Sequence, residues 1–487
     1  MSGIDDLRDE RLKKLELLRE ARMDPYPADS KRTHEIGAVL ASFDSLEKEQ
    51  TKVTIAGRIM SRRGQGGIVF VDLVDGTGRM QVLVKKDGLD EKLFTLFSDA
   101  VDVSDFIEFS GPAFVTKRGE QSILAEDWRM LAKSLRQVPD EWFGIKDEDE
   151  RYRKRYLDIL LNSELAEMVK RRSQFWNTTR QFLLERNFVE VETPILETVT
   201  GGAEARPFVT HHNALDIDVY LRISAGELWQ KKLMVAGLPK VFEIGRIFRN
   251  EGMSAEHLQD YTQLEFYQAY SDYNEGMAMI RDLYRSIADN VFGTQSFIIG
   301  AHTVDLASEW GIVDFNEMIL KEYNLDPRDT DLKAVHGALE EAGIQFNPKE
   351  VDVGRGVDLL WKKIRKTVAG PAFLINVPVY LEPLAKKSRA DDRVVERFQV
   401  ILAGSEMGKG FSELNDPVDQ HERFMHQQSL RDAGDEEAQM ADHEYVEALE
   451  YGMPPTFGFG MSERLFSFLS GKSVREAQIF PLMRPRE

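Results

Sequence analysis

The segment Val241–Tyr270 reads VFEIGRIFRNEGMSAEHLQDYTQLEFYQAY, two strand-like runs around a polar loop. Alternation along the first run sends Phe242, Ile244 and Phe248 one way and Glu243, Gly245 and Arg249 the other. In the second run Glu265 and Tyr267 share a face. A sheet face presenting Glu243, Arg249, Glu265 and Tyr267 together resembles a binding floor more than a core. The competing account is a solvated face with surface ion pairs, and it serves Arg249 taken alone equally well.

A second stretch near the C-terminus, PPTFGFGMSERLFSFLSG, joins a glycine-rich strand to a helix. Gly458 and Gly460 allow close backbone approach, Leu465, Phe468 and Leu469 share a helix face, and Gly471 is a stop. Arg464 falls in the first turn, where the helix dipole disfavours a cation, so an anion such as phosphate would explain it. A tight strand-to-helix turn explains the glycines equally well. In the third stretch, EMGKGFSELNDP, Glu406 and Glu413 are seven apart, on opposite faces of an unbroken strand. A bulge at Gly408 and Gly410 would bring them together, and two carboxylates near phosphates would hold Mg2+. The alternative is two exposed glutamates beside a turn.

The elements that must position these residues follow from pattern. Residues 5–22 read as an amphipathic helix, broken by MDPYPA. Five short strand-like runs between about 52 and 135, separated by GQGG, DGTG and KRGE, fit a small barrel of the OB type. Residues 136–156 are a charged connector, a helix follows over 162–186, and FVEVETPIL is a strand stopped by Pro194. The rest mixes strands and helices in the α+β manner, with a mostly helical insertion at 303–368. The expected organisation is therefore an N-terminal helical extension (1–50), an OB barrel (51–140), a linker (141–160) and a larger domain (161–487).

Composition narrows the chemistry. The chain lacks cysteine, which excludes thiolate nucleophiles, disulfides and Cys-type zinc sites, and makes the cytoplasm the expected compartment. No apolar run reaches the length of a membrane span. A net charge of −20 argues against indiscriminate nucleic-acid binding but leaves room for a local basic patch, because screening limits the reach of charge to about 8 Å.

The three stretches resemble the signature motifs of the class II aminoacyl-tRNA synthetases, and in detail the lysyl-tRNA synthetase family. RKRYLDIL (154–161), GGAEARPFVTHHNALDIDVYLRIS (201–224), FEIGRIFRNEG (242–252), LEFYQAYSDY (264–273) and GFSELNDP (410–417) carry the likeness in family order over nearly the whole chain. The resemblance implies an N-terminal OB-type β-barrel for anticodon binding. After it comes a class II catalytic domain, an antiparallel sheet flanked by helices. It implies that Arg249 grips the α-phosphate of ATP and the amino-acid carboxylate, with Glu251 reading adenine and His257 reaching the outer phosphates. Tyr261 and Arg464 would cover the two adenine faces. Glu406 and Glu413 would hold Mg2+. Gly202 and Glu227 would meet the lysine α-amino group, Glu265 and Tyr267 its ε-ammonium, and Asn415 its carboxylate side. Segment 166–197 would build a homodimer interface.

In the barrel, Phe70 and Gln81 match positions that sandwich a central uridine of the anticodon, with Arg62 among the supporting cations. Taken alone, the apolar strand around Phe70 would place it in the barrel core.

Three departures from the family pattern stand out: His257-Leu258-Gln259-Asp260-Tyr261 in the second motif, GFGMSER one residue short in the third, and SAGEL one residue long before Glu227. The implied activity is that of a lysine–tRNA ligase acting on L-lysine, ATP and tRNA(Lys). The alternatives are an aspartyl- or asparaginyl-type synthetase, a protein lysyl-ligase paralogue, or a non-catalytic OB-fold nucleic-acid-binding relative.

Overall fold

The computed structural model describes residues 2–139, 145–252, 254, 257–435 and 438–486. It divides into two units, Met1–Arg151 and Tyr152–Glu487.

In the first unit six strands follow in order: β1 (Lys52–Gln65), β2 (Ile68–Val74), β3 (Arg79–Lys85), β4 (Phe106–Val115), β5 (Gln121–Ala125) and β6 (Asp127–Ala132). They pair as β1-β2-β3-β5-β4-β6, and an additional β1–β4 pairing closes the ring. Closure removes the exposed strand edges that an open sheet would present. Val69, Val71, Leu73, Val82, Val84, Ile107, Phe109 and Ile123 fill the interior. The N-terminal helix spans Ser2–Glu20. Its Leu18 joins Ile36, Val39, Phe43 and Leu46 in that same core, so residues 1–50 complete the barrel's packing.

In the second unit an eight-stranded sheet runs Gly311–Asp314, Ala372–Ile375, Arg397–Leu402, Ser405–Ser412, Thr456–Ser462, Asp260–Ala269, Lys240–Phe248, Val189–Glu190. The two outermost pairings are parallel and the rest antiparallel. One face carries Phe242, Phe266, Phe398, Phe457 and Phe459 against Phe175 and Phe182 of the helix Ser163–Leu184 and Ile280 and Tyr284 of the helix Tyr273–Ile287. Each such side chain contributes on the order of 1.5–3 kcal/mol. The opposite face carries Val241, Tyr267, Ile401 and Phe411 against Leu228, Val357, Leu360 and Trp361.

Three expectations change in detail. FVEVETPIL forms only Val189–Glu190 beside Val241 and Phe242; after Pro194, which has no N–H to donate, Leu196–Glu197 joins a separate three-stranded sheet. Of the 303–368 insertion, Gly311–Asp314 is an edge strand of the main sheet, and the helices are Phe315–Tyr323, Leu332–Glu341 and Val353–Ile364. The connector is helical at Glu148–Arg153 and Arg155–Leu161. Arg155 is buried there, paired with Asp158 at 3.1 Å and bonded to the carbonyl of Gln478 at 3.3 Å. Residues 140–144, at the expected barrel–linker boundary, lie outside the described residues.

Candidate active site

On the face of the sheet opposite the phenylalanine layer lies a cavity of about 820 Å³. Gly202, Glu227, Arg249, His257, Tyr261, Glu265, Tyr267, Glu406, Glu413 and Arg464 line it. The strands Lys240–Phe248 and Asp260–Ala269 pair from Lys240↔Gln268 to Phe248↔Asp260, which brings the Arg249 end of one run beside the Tyr261 end of the other.

The structure separates Glu243 from this group. Its Oε1 accepts from Arg222 Nη1 at 2.5 Å, and its Oε2 accepts from Thr193 N and Oγ1 at 3.0 and 2.7 Å. Glu243 is therefore a buried structural partner and not part of the floor. Asn415 and Glu251 do not line the cavity either. Asn415 Oδ1 accepts from Lys386 Nζ at 2.5 Å, and its Nδ2 donates to the Met453 carbonyl at 3.0 Å, so it fastens two loops. Glu251 is half-buried in the loop after Arg249, where its carbonyl accepts from Gln259 Nε2. Met253, Ala255 and Glu256 of that loop lie outside the described residues.

The deep end of the cavity is a cluster of buried charge. Glu265 is fully enclosed; Oε1 accepts from Ala225 N at 3.0 Å and Gln263 Nε2 at 2.6 Å, and Oε2 from the Tyr267 hydroxyl at 3.2 Å. Burial, reinforced by the charge of Glu227, pushes its carboxyl up to about 8. Glu413 is raised in the same direction by burial, against the pull of Lys231. Lys231, on the helix Glu227–Val235, places Nζ 2.8 Å from Glu227 Oε1 and 2.6 Å from Glu413 Oε2. Burial alone would lower its pKa, but the two carboxylates hold it above the ordinary lysine range. The sequence reading missed Lys231, although its i,i+4 spacing from Glu227 is a visible ion-pair signal.

Two glycines make this packing possible. A Cβ on Gly458 would lie 2.1 Å from Glu413 Oε1 and 2.5 Å from the Tyr267 ring. Gly226, at φ +75°, caps the helix that carries Glu227, and a Cβ there would meet Thr193 Oγ1 at 2.0 Å. Gly226 thus takes a left-handed conformation that only glycine adopts without strain.

The other end of the cavity is cationic. Arg249 is half-buried; its Nε donates to the Ile223 carbonyl at 3.2 Å and its guanidinium sits 5.9 Å from the Tyr261 ring centre. Arg464 opens the helix Arg464–Leu469, directly after the buried Glu463. His257 is exposed, with Nδ1 2.8 Å from Ser254 Oγ.

Glu406 and Glu413 both reach the cavity because the Arg397–Leu402/Ser405–Ser412 register shifts by one residue where Met407 and Gly408 lie opposite Val400 alone, a bulge expected at Gly408. Their surroundings differ. Glu406 Oε1 accepts from Trp361 Nε1 of the insertion at 2.8 Å, whereas Glu413 Oε2 is paired with Lys231 Nζ at 2.6 Å. Among the described residues no group of three or more His, Asp or Glu could hold a metal ion. Mg2+ commonly takes one or two carboxylates and fills its shell with phosphate and water oxygens. Glu406 fits that pattern; Glu413, already paired with an ammonium, does not.

On the barrel, Phe70 alternates with the buried Val69 and Val71, so it lies on the outer face and not in the core. Its cross-strand neighbours are Arg63 and Leu83. Gln81 is opposite Asp72 on the same face, and its Oε1 accepts from Ser122 Oγ at 3.1 Å. Arg62 is opposite Val71, on the inner side; it donates to the carbonyls of Val101 at 2.6 Å and Ser98 at 3.1 Å. It therefore braces the helix Glu91–Ala100 and is not on the Phe70 face, where Arg63 and Arg79 are exposed cations.

The family described as tRNA synthetases class II (D, K and N) matches residues 147–484, and the OB-fold nucleic acid binding domain matches residues 53–131. A lysine–tRNA ligase of Roseiflexus sp. (strain RS-1) is 42% identical over 99% of this chain and 100% of its own length. Lysine–tRNA ligases of Thermosipho melanesiensis (41%; 98% of this chain, 96% of theirs) and Thermotoga maritima (39%; 99% and 97%) are similar over the same span. The chain belongs to the class II tRNA synthetases and, within them, to the lysine–tRNA ligase family. Members of this family are ATP-dependent ligases that join an amino acid to tRNA.

Proposed function

We propose that the cavity joins L-lysine to ATP as lysyl-adenylate and presents it to the 3′ end of tRNA(Lys). The observation that carries the reading is the charge count at the deep end among the described residues: the carboxyl groups of Glu227, Glu265 and Glu413 around the cation Lys231. A ligand with two ammonium groups balances the two carboxylates that remain once it has displaced their protons, and its carboxylate is left for the Arg249 end. An aspartate side chain would add a third uncompensated negative charge. A neutral amide would leave a buried carboxylate unpaired, which is costly in a dry site.

Attack of the lysine carboxylate on the α-phosphate builds negative charge on phosphate oxygens. Arg249 and Arg464, on the cationic side, would stabilise it electrostatically. His257 would meet the outer phosphates and Tyr261 one adenine face. Gly202 would lie beside the α-amino group. Glu406 would hold Mg2+ together with ATP oxygens; when bound, the ion offsets phosphate charge. The reaction needs positioning and no protein nucleophile, in keeping with a chain that has no cysteine.

Anticodon bases would be read on the outer face of the barrel at Phe70 and Gln81. The exposed apolar residues Val189, Ile195, Leu196, Val209 and Ile217, in and beside the three-stranded sheet, support a homodimer. Among the described residues no helix is long and apolar enough to cross a membrane, which accords with the cytoplasm as the place of action. Pyrophosphate exchange measured with each of the twenty amino acids tests the reading. Exchange is expected with lysine alone, and exchange driven by aspartate or asparagine instead would overturn it.

A further inference from the structure

We infer that Lys231 is a specificity-determining residue: it cancels one of three buried carboxylates and bridges Glu227 and Glu413, so the pocket accepts a diammonium ligand and no more positive charge. The inference rests on the lysine reading of the cavity.

Lys231 is completely enclosed and its Nζ lies between Glu227 Oε1 and Glu413 Oε2. The ring faces of Phe411 and Tyr267 stand 5.3 and 5.8 Å from the ammonium. Those faces favour a cation. Each carboxylate thereby commits one oxygen to Lys231. The other oxygens point to the two places where a side chain is missing. Glu227 Oε2 lies 3.1 Å from where a Cβ of Gly202 would be, and Glu413 Oε1 lies 2.1 Å from where one on Gly458 would be. Lys231 thus fixes one oxygen of each of two acceptors, and Glu265 remains as the third.

The charged and titratable groups facing Lys231 are Glu227 on its own helix, Glu413, Tyr267 and Glu265 on the sheet side, and Tyr445 on the helix His443–Glu450. Without Lys231 these carboxylates repel one another. They would then keep protons to higher pH, and lysine would have to displace more of them.

The test is calorimetric lysine binding by the full-length protein from pH 6 to 9, in two buffers of different ionisation heat to count protons released. Lys231→Met keeps the length and removes the charge. Its lysine affinity should fall at least tenfold at pH 7, the pH at which binding tightens should move up by about one unit, and more protons should be released. A double change, Lys231→Met with Glu413→Gln, removes both charges, leaves two carboxylates for the two ammonium groups, and should return proton release and affinity part of the way toward the parent values. Unchanged affinity and proton release in Lys231→Met, or a loss in both variants without any change in proton release, would make Lys231 a merely structural residue. Should Lys231→Met not fold, the double variant decides on proton release alone. Should neither fold, Lys231 is a structural residue and the inference fails. Failure of the parent to bind lysine at all would instead overturn the proposed function.

Discussion

Glu243 and Glu265 are directly opposite one another across the antiparallel strands Lys240–Phe248 and Asp260–Ala269, and both are buried. Opposed like charges destabilise a strand pair. The protein resolves this by giving the two carboxylates different fates. Glu243 has a permanent cation in Arg222, whereas Glu265 has donors that are all neutral: an amide N–H, a glutamine and a tyrosine hydroxyl. One carboxylate holds the fold and the other waits for charge.

Glu243→Gln should therefore act on stability. It leaves Arg222 buried without its counter-charge, a change that typically costs about 3–5 kcal/mol. Thermal or denaturant unfolding should show the loss, while the lysine KM of the folded fraction stays near the parent value. A normal melting curve with a large KM effect would place Glu243 in the ligand site after all.

Glu265→Gln should do the reverse. The shape and the hydrogen bonds persist, but the counter-charge for a bound ammonium is gone. At about 3–5 kcal/mol the lysine KM in pyrophosphate exchange should rise by roughly two to three and a half orders of magnitude. ATP KM should change little. Lysine binding as tight as the parent's would show that Glu265 does not read the side chain.

The pH dependence follows from the same residue. Burial holds the Glu265 carboxyl at about 8, so near neutrality the empty site is protonated and lysine must expel that proton. Lysine affinity should strengthen by up to tenfold per pH unit below about 8 and level off above it. The folded-state pKa is raised, so the lysine-free protein draws stability from this group below the unfolded carboxylate range and loses it as pH rises through about 8. Added lysine should raise the melting temperature more at pH 8.5 than at pH 6.5. An affinity that weakens across this range would remove Glu265 from the ammonium site.

What the sequence made legible is what obeys a short period. Glu265 and Tyr267 sit on a strand whose two-residue alternation sets their faces, Arg249 directly follows the end of the neighbouring strand, and of the two glycines expected to make the bulge between Glu406 and Glu413 only Gly408 lies in it, Gly410 pairing in register with Phe398. What stayed hidden depends on partners distant in the chain. Nothing near Glu243 announces Arg222, nothing near Glu413 announces Lys231, and nothing near Glu406 announces Trp361 on the insertion. Arg62 was misplaced for a different reason. The β1–β2 register shifts between Ile59 and Ser61, so alternation counted from Ile59 puts Arg62 outside, whereas past the bulge it is inside, opposite Val71.

That bulge sets the last prediction, which separates two neighbours on the barrel. Phe70→Ala removes an aromatic face from the outer surface, where it packs no core. Loss of one base stack costs about 1–3 kcal/mol, so the tRNA KM in charging should rise roughly five- to 150-fold. Pyrophosphate exchange, which needs no tRNA, should be unchanged, and so should the melting temperature. Arg62→Ala acts the other way. It strips two bonds from the carbonyls at the end of the helix Glu91–Ala100, beside the Phe97 ring, and so should lower barrel stability. Any charging defect in Arg62→Ala should disappear at low temperature, where the barrel stays folded, while the Phe70→Ala defect should persist there. If Phe70→Ala charges tRNA normally, the anticodon is read elsewhere, and a persistent cold defect in Arg62→Ala would return that arginine to the RNA-binding face.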